Sequence, residues 1–252
     1  MGKTALHQKA VIVTVERAAP VRHPLLHSQI HPLLVRITHW IFALAFFFLV
    51  FSSLPILIAH PRFYWGETGA IGTHPLFVLP LPLWVGRSGW GRNMHFLAAW
   101  VSLFAGLLYV GYGLISEHFR TKLLPSRADF TLNNLRRVLA EHRTFDRTAL
   151  QYSSRYNVFQ RLAYLAVVFV LFPLIFLSGL AMSPAITSVV PSLVVFFGGH
   201  QSARTIHFCL AAALIGFFVL HVFMVVLAGF VSRTKAMVTG HHPIDTIDKD
   251  VE

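Results

Sequence analysis

Charge is scarce in this chain. Only 12% of its 252 residues are Asp, Glu, Lys or Arg, and just 10 are acidic. A soluble domain carries about a quarter charged residues, so a water-solvated globule is excluded. No Asp or Glu falls within the four long apolar runs, at about 37–59, 94–115, 162–182 and 206–231. Buried carboxylates are the usual proton relays of pumps and transporters, and their absence argues against that class. Cysteine is almost missing: Cys209, inside the fourth run, is the single one. One cysteine excludes intrachain disulfides, a Cys-ligated iron–sulfur cluster and the CxxCH attachment of a c-type haem. Cys209 itself is expected to pack. The first thirty residues have no apolar stretch ahead of a small-residue cleavage site, so the first run is expected to be retained rather than removed as a signal peptide. There is no internal repeat or low-complexity tract.

What the chain has in quantity is apolar surface: 55% hydrophobic residues and a mean hydropathy of +0.62. Each of the four runs exceeds the ~18 residues that mark a membrane span. The expected fold is an all-α integral membrane protein, a four-transmembrane-helix bundle. Segment 1–30 is expected to be a cytoplasmic N-terminal piece, 31–232 the membrane domain and 233–252 a polar, flexible cytoplasmic tail.

The net charge of +11 follows topology. Lys and Arg number 5 in residues 1–36, 9 in 117–161 and 3 from 232 onward, so 17 of the 21 fall on one side of the membrane if both ends lie there. The positive-inside rule makes that side the cytoplasm. Nucleic acid is accordingly not expected as a partner. The outer loop at 60–93 contains "HPLFVLPLPLW", too rich in proline to span, and its Trp65, Trp84 and Trp90 suit the headgroup level. "TLNNLRRVLAEH" in the basic loop could form a short surface helix. The apolar, proline-broken segment 184–199 is expected to be re-entrant or interfacial and not a fifth span.

Most of the fifteen histidines lie in loops and read as solvated surface. Four lie in or at the ends of spans: His39, His95, His207 and His221. An imidazole in hydrocarbon is expensive and marks a functional site. His39 and His221 fall toward the cytoplasmic side, and His95 and His207 toward the outer side, so topology pairs His39 with His221 and His95 with His207. His207 and His221 are fourteen residues apart, which on an α-helix is a rise of about 21 Å and a rotation roughly 40° short of four turns. Both therefore point from nearly one helix face. Two stacked haems, each clamped between helices by axial imidazoles, suit that arrangement, and bis-His ligation gives electron transfer with no open iron position. His118 is a rival inner ligand and His200 a rival outer one. Gly106, Gly111 and Gly113 of the second run, and Gly216 of the fourth, could make room for a flat cofactor, although small residues also serve plain helix contact. Arg36, Arg92 and Arg204 each lie within three residues of a proposed ligand and could pair with haem propionates.

"RITHW" in the first run, "GRNMHFLAAW" in the second and the His-x13-His pair of the fourth resemble the bacterial membrane di-haem cytochrome b subunits. These serve nickel–iron hydrogenases, formate dehydrogenases and thiosulfate reductases. The resemblance covers residues 30–235. The long first outer loop and "YNVFQRLAYLAVVFVLFPLIFLSGLAMSP" are most similar to the thiosulfate-reductase type. It implies two b-type haems held by the first, second and fourth helices, carrying electrons between membrane quinone and a periplasm-facing redox subunit of molybdopterin or hydrogenase type. It also implies a quinone pocket by the inner haem, where Asn157 and Gln160 of "YNVFQR" could bond a quinone carbonyl. A self-contained haem oxidoreductase of superoxide or ferric type is the alternative, and a proton-relay transporter a more distant one.

Overall fold

The computed structural model describes residues 31–69, 72–81, 89–125, 127–131, 136 and 158–240. Four helices are long and apolar enough to cross a membrane: Leu33–Ala59, Trp90–Ile115, Val158–Ala181 and His200–Leu227. They outrun the apolar runs at their starts, because segments such as Trp90–Asn93 are polar or aromatic yet continue the helix. The outward surfaces are apolar, with Leu44, Phe47, Leu108 and Val219 about 60% exposed, which is a lipid-facing surface and not a hydrated one. The chain is a membrane protein.

Small residues set how the spans pack. The buried positions of the first span are Thr38, Ala45 and Ser52, at seven-residue intervals. They lie against a second span whose buried positions are Gly91, Ala98, Ser102, Ala105 and Gly113. With no large side chain between them the two backbones run close together. An added Cβ at Gly91 would collide with Pro55 and the Ser52 carbonyl. The third and fourth spans also pack on each other, whereas the backbones of the first and fourth barely approach. Rings cross that interval instead, among them Phe46 and Phe218, with centres 5.2 Å apart. The result is two tight hairpins with a side-chain-filled gap between them.

The third span widens to a π-helical turn at Val167–Leu171 just before Pro173, whose missing N–H cannot join the regular ladder. Beyond the third span lie two short helices, Pro184–Thr187 and Ser192–Phe196. Segment 184–199 is thus not a fifth span. The outer loop forms a two-residue antiparallel ribbon, Arg62–Phe63 with Phe77–Val78. It folds down onto the fourth span, where the Gly66 carbonyl accepts from the Gln201 and Ser202 amides (3.0 and 3.2 Å). Those amides are orphan donors of a helix N-terminus. The approach is close enough that Gly199 (φ 112°) has its Cβ position filled by the Gly66 backbone.

The fourth span ends at Leu227, and Gly229 (φ 96°) turns the chain into a further helix, Phe230–Thr239. Residues 233–239, expected to be flexible, are therefore helical. They are held by Arg36, which donates to the Thr239 carbonyl at 3.1 Å, and by Trp40 Nε1, which donates to the Met237 carbonyl at 3.4 Å. The helix expected at "TLNNLRRVLAEH" falls almost wholly outside the described residues, as do Trp84, segment 1–30 and the end of the tail.

Candidate functional site

The end of the bundle where the first span begins and the fourth ends is here called proximal, and the opposite end distal. His39 lies six residues into the first span and His221 six residues before the end of the fourth. Their depths therefore agree, because the fourth helix ends at Leu227, before its apolar run does at 231. Their ring centres are 6.3 Å apart with planes at 56°. At the distal end His95 and His207 have ring centres 6.3 Å apart and planes at 61°. Each pair bridges the gap between the two hairpins.

The separation fits a shared metal. A histidine nitrogen binds a first-row metal at about 2.0–2.1 Å, and the ring centre lies about 1.1 Å behind the nitrogen. Two imidazoles on opposite sides of one ion thus have centres roughly 6.3 Å apart. Among the described residues no group of three or more His, Cys, Asp or Glu gathers, so each pair offers two nitrogen donors. Such a pair would fit a metal whose remaining ligands come from a macrocycle.

The distal imidazoles are oriented by buried hydroxyls. His207 Nδ1 lies 3.0 Å from the Ile175 carbonyl and 3.1 Å from Ser178 Oγ. His95 Nδ1 lies 3.2 Å from Ser52 Oγ. Gly179, next to Ser178, leaves space for the ring, since an added Cβ would sit 3.3 Å from His207 Cε1. At the proximal end His39 packs edge-on to Trp40 (5.3 Å), and His221 stacks on Phe217 (6.0 Å, 18°). His39 Nδ1 is buried without a hydrogen-bond partner.

The rival ligands stand apart. His118 packs among Tyr109, Tyr112 and Phe119, and His200 Nε2 is 3.7 Å from Glu67. Arg204 donates to the His60 and Arg62 carbonyls and to Gln201 Oε1 (3.2 Å) and lies over the Phe63 ring. It clamps the outer loop onto the bundle. Arg36 is turned to Thr239, and Arg92 is exposed at the start of the second span. Gln160 is half-buried one turn before Tyr164, whose ring stands edge-on to His221 (6.4 Å); Asn157 lies outside the described residues.

The glycines divide. Gly113 accommodates the Phe119 ring and Gly106 touches Phe42, so both serve packing. Gly216 is nine residues from His207, roughly half a turn away from it in azimuth, and is exposed on the lipid side. It does not face the histidines.

A family model of the prokaryotic cytochrome b561 matches residues 30–240. The chain belongs to the prokaryotic cytochrome b561 family. It is therefore a membrane cytochrome of b type, a haem-binding electron-transfer subunit. A relative from Azospira oryzae is 32% identical over 218 residues, covering 84% of this chain and 96% of its own length. It is named as a subunit, YedZ1, of a protein-methionine-sulfoxide reductase. No solved structure matches the chain significantly. Ser52, Ser178 and Gly179 were not found from the sequence. The available signal was weak: a small polar residue in an apolar run, where topology brings a histidine of the next span alongside.

Proposed function

We propose that this cytochrome holds two b-type haems in series, His39 and His221 ligating the proximal one and His95 and His207 the distal one. The proximal end faces the cytoplasm and the distal end the periplasm, in keeping with the positive-inside distribution of Lys and Arg. Electrons pass between membrane quinone, on the cytoplasmic side, and a redox subunit docked on the outer loops. The observation that carries this reading is the pair of 6.3 Å imidazole separations, one at each end of the same gap.

A bound bis-His haem supplies one-electron transfer without a vacant position for oxygen. The four imidazoles fix its place, the spans exclude water, and Phe46 and Phe218 fill the gap between the two levels. Arg204 holds the outer loop over the distal end, so the surface offered to a partner is rigid there. Arg92 supplies positive charge for a propionate at the distal end, and Arg36, while donating to the Thr239 carbonyl, adds positive charge at the proximal end. At the proximal end Gln160, with Asn157 before it, offers an amide that can donate to a quinone carbonyl. The name of the Azospira relative, a subunit of a protein-methionine-sulfoxide reductase, supports a reductase as the partner.

The experiment is quinol reduction of the purified chain in lipid nanodiscs, followed at the α band, with and without proteins co-purified from native membranes. Quinol should reduce the haem of the isolated chain, and reoxidation should need the co-purified partner. Rapid turnover with small acceptors and no partner would favour a self-contained oxidoreductase instead.

A further inference from the structure

The two distal ligands share a support that has no counterpart at His39. The Ile175 carbonyl can only accept a hydrogen bond, so the His207 Nδ1 that lies 3.0 Å from it must be the donor. The Ser178 hydroxyl gives its own hydrogen to the same carbonyl, at 3.0 Å, and so presents a lone pair to His207 Nδ1–H. Ser52 repeats the device on another helix. Its hydroxyl donates to the Leu49 carbonyl at 3.2 Å, which leaves a lone pair for His95 Nδ1–H. Both serines are fully buried, at 0% exposure. The distal site is thus built from all four spans: ligands from the second and fourth, hydroxyl acceptors from the first and third.

We propose that Ser52 and Ser178 are positioning residues that hold His95 and His207 as the Nδ1–H tautomer, with Nε2 free for iron, and make both imidazoles stronger donors to the distal haem. An acceptor on the distal N–H of a ligating imidazole fixes ring orientation and raises ligand basicity. A more basic ligand pair stabilises the ferric state, so the two hydroxyls lower the distal midpoint potential. The inference rests on the distal pair being haem ligands. Ser53 is an internal control, because it back-bonds to the Val50 carbonyl at 2.7 Å in the same way but makes no hydrogen bond to a histidine among the described residues.

The test is a redox titration of the full, haem-replete chain, with low-spin electron paramagnetic resonance on the same samples. The distal component is defined as the one lost in His207→Ala. Ser178→Ala and Ser52→Ala should each raise its midpoint, by about tenfold in the ratio of reduced to oxidised haem, which is about 59 mV for one electron. The proximal component should stay in place, which also reports that the variant is folded. Ser53→Ala should move neither, and Ser178→Thr, which keeps the hydroxyl, should restore the wild-type value. Unchanged midpoints in both alanine variants, equal shifts of both components, or the same shift in Ser53→Ala would overturn the proposal. If an alanine variant loses the distal haem altogether, retention in the threonine variant supports the role and loss in both contradicts it. A wild-type chain with no haem would instead refute the ligand assignment on which the inference rests.

Discussion

His39 and His221 stand with their ring centres 6.3 Å apart on two helices whose backbones barely meet. The gap they cross is held open by packing elsewhere, the first span against the second and the third against the fourth. A bundle that packed all four spans equally would leave no slot for a flat group. In our proposal the division into two tight hairpins and one wide seam is the structural basis of cofactor binding, and the histidines at each end of the seam are the ligands.

Gly179 is the position where the bundle leaves space for a ligand. An added Cβ would lie 3.3 Å from His207 Cε1, tolerable for one methyl but not for a branched side chain. Gly179→Ala should keep both haems with a perturbed distal spectrum, whereas Gly179→Val should lose the distal component and keep the proximal one. Haem stoichiometry with the α-band spectrum checks this, and an unperturbed distal band in Gly179→Val would count against it.

Arg204 makes bonds through two nitrogens of its guanidinium, to two loop carbonyls and to Gln201. Hydrogen bonds from charged groups contribute about 1.5–3 kcal/mol each where water is excluded, although half-exposure reduces this. Arg204→Ala should release the loop at 60–81 and raise its rate of proteolysis severalfold, with little change in haem content. Arg204→Lys should fail to restore protection, since an ammonium cannot reproduce the planar fork. Equal protease resistance in all three proteins would contradict the clamp.

Gly229 adopts φ 96°, a conformation that costs other residues about 1–2 kcal/mol. Gly229→Ala should weaken the docking of helix Phe230–Thr239 on Arg36 and Trp40. The check is amide hydrogen exchange across 230–239, expected to speed up in the variant while the fourth span remains protected. Unchanged exchange would mean that the bend is not under this strain.

The four spans were legible because hydrocarbon demands long apolar helices, and the histidine pairs because alternating spans leave each deep imidazole one partner at its own depth. Other features depended on contacts that composition does not encode. Residues 233–239 mix Arg233, Lys235 and two threonines with apolar residues, yet they are ordered by Arg36 and Trp40, some two hundred positions earlier. Gly216 looked like room for a cofactor until azimuth placed it on the lipid side. Ser178 is one hydroxyl in an apolar run, and its value comes from lying beside a ring 29 residues later. Arg204, expected near a propionate, donates instead to the His60 and Arg62 carbonyls of the loop.

The central claim is the pairing of ligands across the gap. It is tested most directly by haem content and spectrally resolved redox titration of His39→Ala, His95→Ala, His207→Ala and His221→Ala, all in the full chain. The account predicts about two low-spin haems per wild-type chain and about one in each variant. His95→Ala and His207→Ala should lose the same component, and His39→Ala and His221→Ala the other. A colourless wild-type protein, or loss of different components within either pair, would contradict it.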